Sequence, residues 1–327
     1  MKYKILELLC NKKGVFISSK ILNEKFNVTR TTIWKYINEL KKDGYLIESS
    51  SKKGYKLLYY QNKIIPYDIM NNLNTTIIGK NIIYYDEIDS TNIESKKMLQ
   101  DGLEEGSIII ADKQTNGRGR MGRLWHSLPN KGIWMSIILK PVICIEEVQK
   151  ITLATAIAVA KALEKCLKIK AGIKWPNDIL LDDKKVCGIL TEMSAEVGRI
   201  NYVIVGIGIN VKHKKDDFAK DIIDRAISLE SYLEKINSYE ILDRNVIIKN
   251  ILIEFDRVYK YILSFQTKKI IDIWKWYSIT LGRDIKIIGE NYKYNGRAIN
   301  ITNEGKLVVK LDDGSIKEFI SGEISIR

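Results

Sequence analysis

Apolar side chains recur at helical spacing three times within the first 40 residues of the chain. Ser18 and Thr29 stand where they can cap the second and third of these predicted helices. Two short stretches, 45–47 and 55–57, follow with the character of paired β-strands. The pattern therefore predicts three helices and then a hairpin. The apolar positions that define the helices are Ile5, Leu6, Leu8, Leu9, Ile21, Leu22, Phe26, Ile33, Ile37 and Leu40.

Three helices followed by a hairpin are typical of a winged helix-turn-helix, in which the third helix enters the major groove of DNA. A polar helix face can also be no more than a solvated surface. The charge favours DNA, because residues 1–60 hold 13 Lys and Arg against 5 Asp and Glu. We expect base readout from Arg30, Thr31, Thr32, Lys35 and Asn38, and phosphate contacts from Lys52 and Lys53.

From about residue 79 to residue 263, apolar runs alternate with helical patterns. The runs 108–111 and 133–139 predict buried strands, and 151–167 predicts a long helix. A hairpin is expected around a turn at 182–185. Residues 212–225 are polar and irregular, and residues 239–263 are predicted to be helical.

The pattern changes again near residue 281, where short alternating strands are separated by turns such as Asp313-Gly314. These strands predict a small β-barrel of SH3-like size. The expected domains are a winged helix-turn-helix at 1–60, a linker at 61–78, a catalytic domain at 79–270 and the barrel at 271–327.

One loop, residues 112–125, joins the two strongest predicted strands and carries three arginines and three glycines. Glycine lets a backbone approach a ligand closely. Arginine presents a fixed, charged fork that suits carboxylate and phosphate groups. The loop therefore predicts a cradle for a small anion between two core strands.

Gly117, Gly119 and Gly122 also match the glycine spacing of a dinucleotide-binding turn. That motif should open a helix and meet an acidic residue about 20 positions later. Here an apolar strand follows, and Lys140-Pro141 stands at about that distance. The pattern therefore argues against a dinucleotide site.

The chain of 327 residues is long enough for two or three domains, and its net charge is +13. Its four cysteines are far apart, which argues against a disulfide framework or a zinc site. No signal peptide and no apolar run of membrane length is apparent. We therefore expect a reduced, cytoplasmic protein.

Five motifs of the middle segment, in order, resemble those of the biotin protein ligase family. The winged helix and the C-terminal Ser-Gly-Glu-Ile-Ser-Ile-Arg are similar to the members that also repress the biotin operon. The resemblance covers essentially the whole chain and implies an α+β protein whose central domain is a class II synthetase-like mixed sheet. The motifs are Asp-Ser-Thr-Asn at 89–92, the loop at 112–125, Lys-Trp-Pro-Asn-Asp at 174–178, Lys-Lys-Val-Cys-Gly-Ile-Leu-x-Glu at 184–192 and Gly-Ile-Gly-Ile-Asn at 206–210.

The resemblance implies two chemical steps. The carboxylate of biotin attacks the α-phosphorus of ATP, which gives biotinoyl-5′-AMP and pyrophosphate, and a lysine of a biotin carboxyl carrier protein then attacks that mixed anhydride. Because no covalent enzyme intermediate forms, positioning and charge stabilisation should provide the catalysis. The implied catalytic residues are Arg118, Arg120, Lys185 and Asp178.

Uncharged groups suit the neutral ureido head of biotin, and by resemblance Ser90, Thr91, Asn92 and Gln114 contact it. Ser90 and Thr91 could also form an ordinary helix cap, which is compatible with a contact to biotin. Arg123 would either anchor the loop or meet pyrophosphate. The complete set implied to bind biotin or ATP is Ser90, Thr91, Asn92, Gln114, Gly117, Arg118, Gly119, Arg120, Lys185, Gly188, Gly206 and Asn210.

Asp178 and Asn210 carry oxygen ligands of the kind that Mg²⁺ takes. Asp178 could alternatively orient the attacking lysine. Trp125, Trp134 and Trp175 would either wall the pocket or pack in the core. Some relatives place a tryptophan over adenine where this chain has Ala226.

Two other function classes compete with this interpretation. A lipoate ligase or octanoyl transferase would carry a different glycine-rich loop, which is absent from this sequence. A regulator without catalysis would not need the full set of charged residues. The resemblance also implies operator DNA as a partner and a homodimer that forms when the adenylate is bound.

Overall fold

The computed structural model describes two compact units, Met1–Ile65 and Pro66–Arg327. Residues 59–62, at the predicted boundary between domain and linker, lie outside the described residues. The described ranges are 1–12, 14–42, 44–58, 63–196, 198–289 and 292–326.

The first unit contains three helices and a two-stranded antiparallel hairpin, as predicted. Ile33, Ile37 and Leu40 are buried along one side of the third helix, so the helical periodicity placed its core face correctly. Ser18 accepts a hydrogen bond from the backbone N–H of Ile21 and caps the second helix. The elements are α1 (Lys2–Asn11), α2 (Ser19–Phe26), α3 (Arg30–Lys42), β1 (Ile47–Ser50) and β2 (Gly54–Leu57).

The second unit is built on a mixed sheet of seven strands in the order β3-β4-β5-β9-β8-β7-β6. Only β3 and β4 run parallel among its paired strands. All eight residues of β5 are buried, which explains its continuous apolar sequence. The strands are β3 (Ile82–Ile88), β4 (Ile108–Gln114), β5 (Gly132–Leu139), β6 (Gly172–Lys174), β7 (Asp178–Leu181), β8 (Lys184–Glu196) and β9 (Arg199–Asn210).

Helices cover both faces of this sheet. Asn92 lies against Gly206 on one face, whereas Thr152 shares a hydrogen bond with Thr191 on the other. Thr191 pairs with Val205, which precedes Gly206 in β9. Because successive residues of a strand point to opposite faces, Thr191 and Gly206 face opposite sides of the sheet. The helices are α4 (Pro66–Met70), α5 (Thr91–Gln100), α6 (Val148–Leu167), α7 (Leu229–Lys235), α8 (Arg244–Leu263) and α9 (Thr267–Tyr277).

The C-terminal strands form an antiparallel sheet in the order β13-β12-β11-β10-β14. The indole N–H of Trp175 donates to the carbonyl of Gly305 at 3.0 Å, which ties this sheet to the central one. The strands are β10 (Asp284–Ile288), β11 (Lys293–Ile301), β12 (Leu307–Leu311), β13 (Ile316–Phe319) and β14 (Glu323–Ile326).

Several predicted boundaries were wrong. The helix expected to start at residue 239 begins at Arg244, where Asp243 accepts hydrogen bonds from two backbone N–H groups and caps it. The turn expected at 182–185 has only two residues, Asp182 and Asp183, both with positive φ. Lys184 and Lys185 already belong to β8. Helices α7 and α9 and strand β14 were not predicted.

Asp256 of α8 holds the segment that leads into β3. Its carboxylate accepts the backbone N–H groups of Thr76 at 3.2 Å, Ile77 at 2.8 Å and Ile78 at 3.1 Å. Lys260 lies 2.8 Å from the same carboxylate. Asp256 therefore accepts hydrogen bonds from backbone N–H groups that lie about half the chain length away in sequence, in the predicted linker 61–78.

We predict that Asp256→Ala lowers the free energy of unfolding by about 2–4 kcal/mol, because one buried and two partly buried N–H groups and a lysine lose their acceptor. Urea denaturation followed by circular dichroism measures it. Asp272→Ala, at an exposed position of α9, is the matched control. Equal stability of the two variants would show that Asp256 does not hold this segment.

Candidate functional site

A cavity of about 340 Å³ opens at the face of the central sheet that carries α5 and the arginine loop. Residues from the C-terminal sheet and from the segment 213–226 complete its wall. Gly117, although predicted to bind ligand, is not among the residues that line the cavity. All other predicted catalytic and ligand-binding residues do line it: Ser90, Thr91, Asn92, Gln114, Arg118, Gly119, Arg120, Asp178, Lys185, Gly188, Gly206 and Asn210.

Uncharged polar groups form one end of the cavity. The backbone N–H and the hydroxyl of Thr91 lie 2.8 and 3.1 Å from the side-chain oxygen of Gln114. Ser136 places its hydroxyl 2.7 Å from that of Thr91 and 2.6 Å from the amide oxygen of Asn92. Ser136, fully buried in an apolar strand, was missed because its sequence context indicates only core packing.

Ser90 occupies the position that precedes α5, yet its hydroxyl makes no capping hydrogen bond. It is 2% exposed and lines the cavity. The simple helix cap that the sequence allowed for Ser90 is therefore not formed.

Asn92 is fixed from the other side by Glu192. The amide of Asn92 donates to Glu192 at 2.6 Å, and Lys96 lies 2.6 Å from the same carboxylate. Burial raises the pKa of Glu192, but its hydrogen bonds with Lys96 and Asn92 outweigh burial and hold the pKa below its ordinary value. The polar end of the cavity therefore rests on an ionised carboxylate.

Glycines form the floor under Trp125. A Cβ atom at Gly208 would lie 2.5 Å from the indole nitrogen of Trp125, and one at Gly188 would lie 2.8 Å from its ring. Gly188 and Gly208 are cross-strand partners in β8 and β9. At Gly206 a Cβ would meet the amide of Asn92 at 2.5 Å. These three glycines admit the cavity's own side chains as closely as the sheet allows.

The arginine loop folds back on itself. The N–H of Gly119 donates to the carbonyl of Arg123 at 2.7 Å, and the N–H of Trp125 donates to Gly117 at 2.8 Å. A Cβ at Gly117 would lie 2.4 Å from the Trp125 carbonyl, so this glycine is required by the loop's own backbone. Gly117 therefore shapes the cradle without lining it.

The three arginines of the loop have different surroundings. Arg120 donates to the side-chain oxygen of Asn177 at 2.9 Å, and burial lowers its pKa. Arg118 is exposed at the rim of the cavity. Arg123 pairs with both carboxylate oxygens of Glu323, at 2.9 and 2.5 Å. Of its two predicted roles, Arg123 therefore has that of an anchor, to the C-terminal sheet.

Lys185 enters the cavity from β8, while its neighbour Lys184 is exposed, as strand alternation requires. The ammonium group of Lys185 lies 2.6 Å from Asp178 of β7 and 5.2 Å from the centre of the Trp125 ring. The two-residue turn between β7 and β8 thus brings two opposite charges, those of Asp178 and Lys185, to the cavity.

A buried ion pair holds both ends of the arginine loop. Arg244, at the start of α8, donates to Asp112 at 2.8 Å and to the carbonyl of Gly132 at 3.0 Å. The other carboxylate oxygen of Asp112 accepts the N–H of Asn130 at 3.0 Å. Because Asp112 precedes the loop and Asn130 follows it, one guanidinium–carboxylate pair fixes the strands from which the loop springs.

The segment 213–226 contributes an apolar wall, in which His213, Phe218 and Ile222 were not singled out from the sequence. His213 is 1% exposed and stacks on Phe218, with ring centres 5.2 Å apart. Burial lowers the pKa of His213 to about 4, so the ring is neutral near pH 7. Phe218, Ile222 and Ala226 line the cavity with it. The polar composition of the segment hid these apolar residues.

Two roles were predicted for Trp125, Trp134 and Trp175, namely cavity wall and core packing, and the structure contains both. Trp134 and Trp175 are each 1% exposed and pack in the core, although Trp175 also reaches the cavity. Trp125 is half-buried over the glycines. Cys187 is fully buried, and burial raises the pKa of its thiol.

The described part of the chain contains no group of three or more His, Cys, Asp or Glu residues arranged to hold a metal ion. Asp178 lies against Lys185, and the amide of Asn210 donates to the carbonyl of Ile227 at 3.3 Å.

In the first unit, the side of α3 opposite the core presents the predicted DNA-contacting residues. Arg30, Thr31 and Lys35 are exposed, whereas Thr32 and Asn38 are half-buried. The hydroxyl of Thr32 pairs with that of Thr29 at 2.9 Å, which ties it to the helix start. In the hairpin, Lys52 and Lys53 are both exposed.

Comparison with known proteins gives consistent results along the chain. Residues 84–210 match the Biotin/lipoate A/B protein ligase family, residues 2–56 match the HTH domain, and residues 280–327 match the Biotin protein ligase C terminal domain. The chain is 37% identical to the bifunctional ligase/repressor BirA of Bacillus spizizenii over 100% of this chain and 98% of that protein. It is 27% identical to its Escherichia coli counterpart over 99% of this chain and 96% of that protein.

Among solved structures, the chain is similar to the biotin protein ligase from Aquifex aeolicus in complex with biotin and ATP. The TM-score is 0.64 at 31% identity, over 76% of this chain and 99% of that one. An apo structure of a biotin protein ligase from the same organism gives 0.61 at 28% identity, with the same coverage.

Across the residues with described positions, none of the helices combines the length and the apolarity that crossing a membrane requires.

We predict that Gly208→Ala displaces the indole of Trp125, because the new methyl group would lie 2.5 Å from its nitrogen. Overpacking of this kind typically lowers the free energy of unfolding by about 1–3 kcal/mol. A crystal structure of the variant, together with denaturant unfolding, measures both effects. Gly102→Asn, in open space at positive φ, is the control. An unmoved indole and unchanged stability would contradict the close packing.

Proposed function

The chain belongs to the bifunctional biotin ligase/repressor family, and from that we propose how its residues carry out the two activities. The protein activates biotin with ATP, transfers it to a lysine of a biotin carboxyl carrier protein, and represses biotin synthesis genes by binding operator DNA. One observation supports the ligase assignment above the others: a single cavity joins an uncharged polar end to a cationic rim.

The uncharged end suits the ureido ring of biotin, which is neutral but rich in hydrogen-bonding groups. Ser90, Thr91, Asn92 and Gln114 supply such groups, and Glu192 orients Asn92 from behind. The apolar dithiolane of lipoate offers these groups no hydrogen-bonding partner, whereas the ureido ring does, and each such hydrogen bond contributes about 0.5–1.5 kcal/mol. This chemistry favours biotin over lipoate.

The cationic groups suit the reacting end. A carboxylate oxygen of biotin forms a bond to the α-phosphorus of ATP while the bond to pyrophosphate breaks, and negative charge accumulates on the phosphate oxygens. Arg118, Arg120 and Lys185 stabilise that charge, Arg118 from the exposed rim and the other two from half-buried positions. In the second step the acceptor lysine attacks the acyl carbon, and AMP leaves. Asp178 lies 2.6 Å from Lys185. It either orients the acceptor lysine of the carrier protein or receives the proton of that acceptor lysine.

We propose that Mg²⁺ binds to the protein together with ATP. Magnesium is commonly bound by one or two protein oxygens together with substrate phosphates and water. Asp178 and Asn210 can supply protein oxygens of that kind, and the lack of a larger ligand group among the described residues fits an ion that phosphates carry in. The ion would neutralise phosphate charge.

Gly117, Gly119, Gly188 and Gly206 allow the backbone and side chains to close around the ligand. Residues 212–225 cover the nucleotide end through Phe218 and Ile222, with Ala226 directly after them, and exclude water from the adenylate. The neutral His213 suits that apolar cover.

We also propose the division 1–60, 61–78, 79–270 and 271–327 for the DNA-binding domain, linker, catalytic domain and C-terminal domain. The adenylate serves both as reaction intermediate and as corepressor, and promotes a homodimer that places two winged domains on a two-fold operator. A cytoplasmic location is part of the same proposal, since ATP and operator DNA are found there.

The function is tested by incubating the full chain with ATP, biotin and a carrier domain. Mass spectrometry should then show the mass of one biotin on one lysine of the carrier. Lipoate in place of biotin should leave the carrier unmodified. An unmodified carrier in both reactions would remove the ligase assignment.

We predict that Arg118→Ala and Lys185→Ala each lower the rate of adenylate formation by about 10²-fold or more, because the developing phosphate charge loses a cation. Single-turnover assays with radiolabelled ATP measure it. Lys184→Ala removes the same charge one residue away, on the exposed side of β8, and should leave the rate unchanged. Equal rates for the Lys184 and Lys185 variants would exclude Lys185 from the chemistry.

For the repressor activity, we predict that Arg30→Ala combined with Lys35→Ala abolishes operator binding while ligase activity stays at the wild-type level. Gel-shift titration and carrier biotinylation measure the two. Lys268→Ala with Lys269→Ala removes the same charge from α9 and should bind operator normally. A double α3 variant with full affinity would disprove the DNA face.

If the adenylate is a corepressor, it must favour the dimer differentially. We predict that sedimentation equilibrium shows tighter dimerisation with biotin and ATP than without them. Equal dimer affinity under both conditions would show that the adenylate does not promote the dimer, and the proposed corepressor role would be wrong.

A further inference from the structure

The exposed side of α3 carries a large apolar group among its polar residues. Trp34 is 60% exposed. Arg30 lies one turn before it and Asn38 one turn after it, so the indole stands midway along the face. Within the part of the chain that the structure describes, no aromatic ring or cation packs on this indole.

Exposed tryptophan elsewhere in the chain is covered differently. Trp276 of α9 is 70% exposed, but the ammonium group of Lys170 lies 4.7 Å from its ring centre. Trp34 has no such partner among the described residues of the first unit. Leaving a large apolar surface in water is unfavourable, so a ligand that covers Trp34 gains from its burial.

Charge indicates the class of that ligand. Arg30 and Lys35 flank the indole, Lys41 and Lys42 end the same helix, and Lys52 and Lys53 extend from the hairpin. A cationic surface of this kind fits a polyanion. A partner that covers both the indole and these cations must itself combine anionic and apolar groups.

The major groove of DNA offers one apolar group along its base edges, the 5-methyl group of thymine. We propose that Trp34 is a specificity-determining residue that packs its indole on a thymine methyl group between the bases read by Arg30 and Asn38. A helix that brings those two side chains to base edges also brings the residue midway between them to the groove. This inference rests on the proposed repressor function.

The test removes the methyl group without changing base pairing. DNA sites are selected from a random pool by the full chain in the presence of biotin and ATP, and each thymine is then replaced by uracil. For the wild type, we expect at least one replacement to lower affinity about fourfold, the value of one buried methyl-sized group. The same replacement should not change the affinity of Trp34→Ala.

Two variants serve as controls. Trp276→Ala removes an exposed tryptophan from the other unit and should retain the wild-type response to uracil. Lys35→Ala should weaken thymine-containing and uracil-containing sites equally. Circular dichroism and carrier biotinylation check that Trp34→Ala, a change to a better helix former at an exposed position, leaves the protein folded.

The inference is overturned if no uracil replacement alters wild-type affinity, if selected sites require no thymine, or if Trp34→Ala remains equally sensitive to uracil. A loss of binding by Trp34→Ala together with an insensitive wild type would instead place the indole against protein. Failure to select any DNA site, with ligase activity intact, would refute the repressor function itself and this inference with it.

Discussion

The buried pair of Asp112 and Arg244 is the interaction on which the catalytic half of this molecule depends. It is formed between the strand that enters the arginine loop and the first residue of α8, and it also holds the residues that follow the loop. The side chain of Arg244 is fully shielded from solvent, so either charge alone would be left in a medium that cannot solvate it. The loop can therefore be cationic and glycine-rich without losing its position, because the Asp112–Arg244 pair fixes the residues before and after it.

The cavity above this pair combines two requirements that usually conflict. Recognition of a neutral, polar ring requires a dry site with satisfied hydrogen-bonding groups, and charge stabilisation requires cations close to solvent-borne phosphates. The lining of one cavity supplies both. Thr91, Asn92 and Ser136 form a hydrogen-bonded network, and the loop arginines and Lys185 line the same cavity. Glycines of β8 and β9 admit the indole of Trp125 beside them.

Much of this could be predicted from sequence because the signals were local. The periodicity of Ile33, Ile37 and Leu40 defined the core side of α3, and the β-branched run into the loop defined β4. Arg123, by contrast, is anchored by Glu323, which is 200 residues away, and no local pattern indicates such a partner. Ser136 looked like an ordinary core position, and His213 and Phe218 lay within a charged segment. The structure reveals them because their roles arise from packing between distant elements.

The backbone of Lys185 has a further consequence. Its N–H donates to the carbonyl of Arg225 at 2.8 Å, and its carbonyl accepts the N–H of Ile227 at 3.0 Å. The segment that ends at residue 227 is thus joined, like an added strand, to the residue whose ammonium group pairs with Asp178 in the cavity. A displacement of residues 225–227 would therefore remove both main-chain partners of Lys185 at once. The position of the Lys185 backbone and the position of this segment depend on the same two hydrogen bonds.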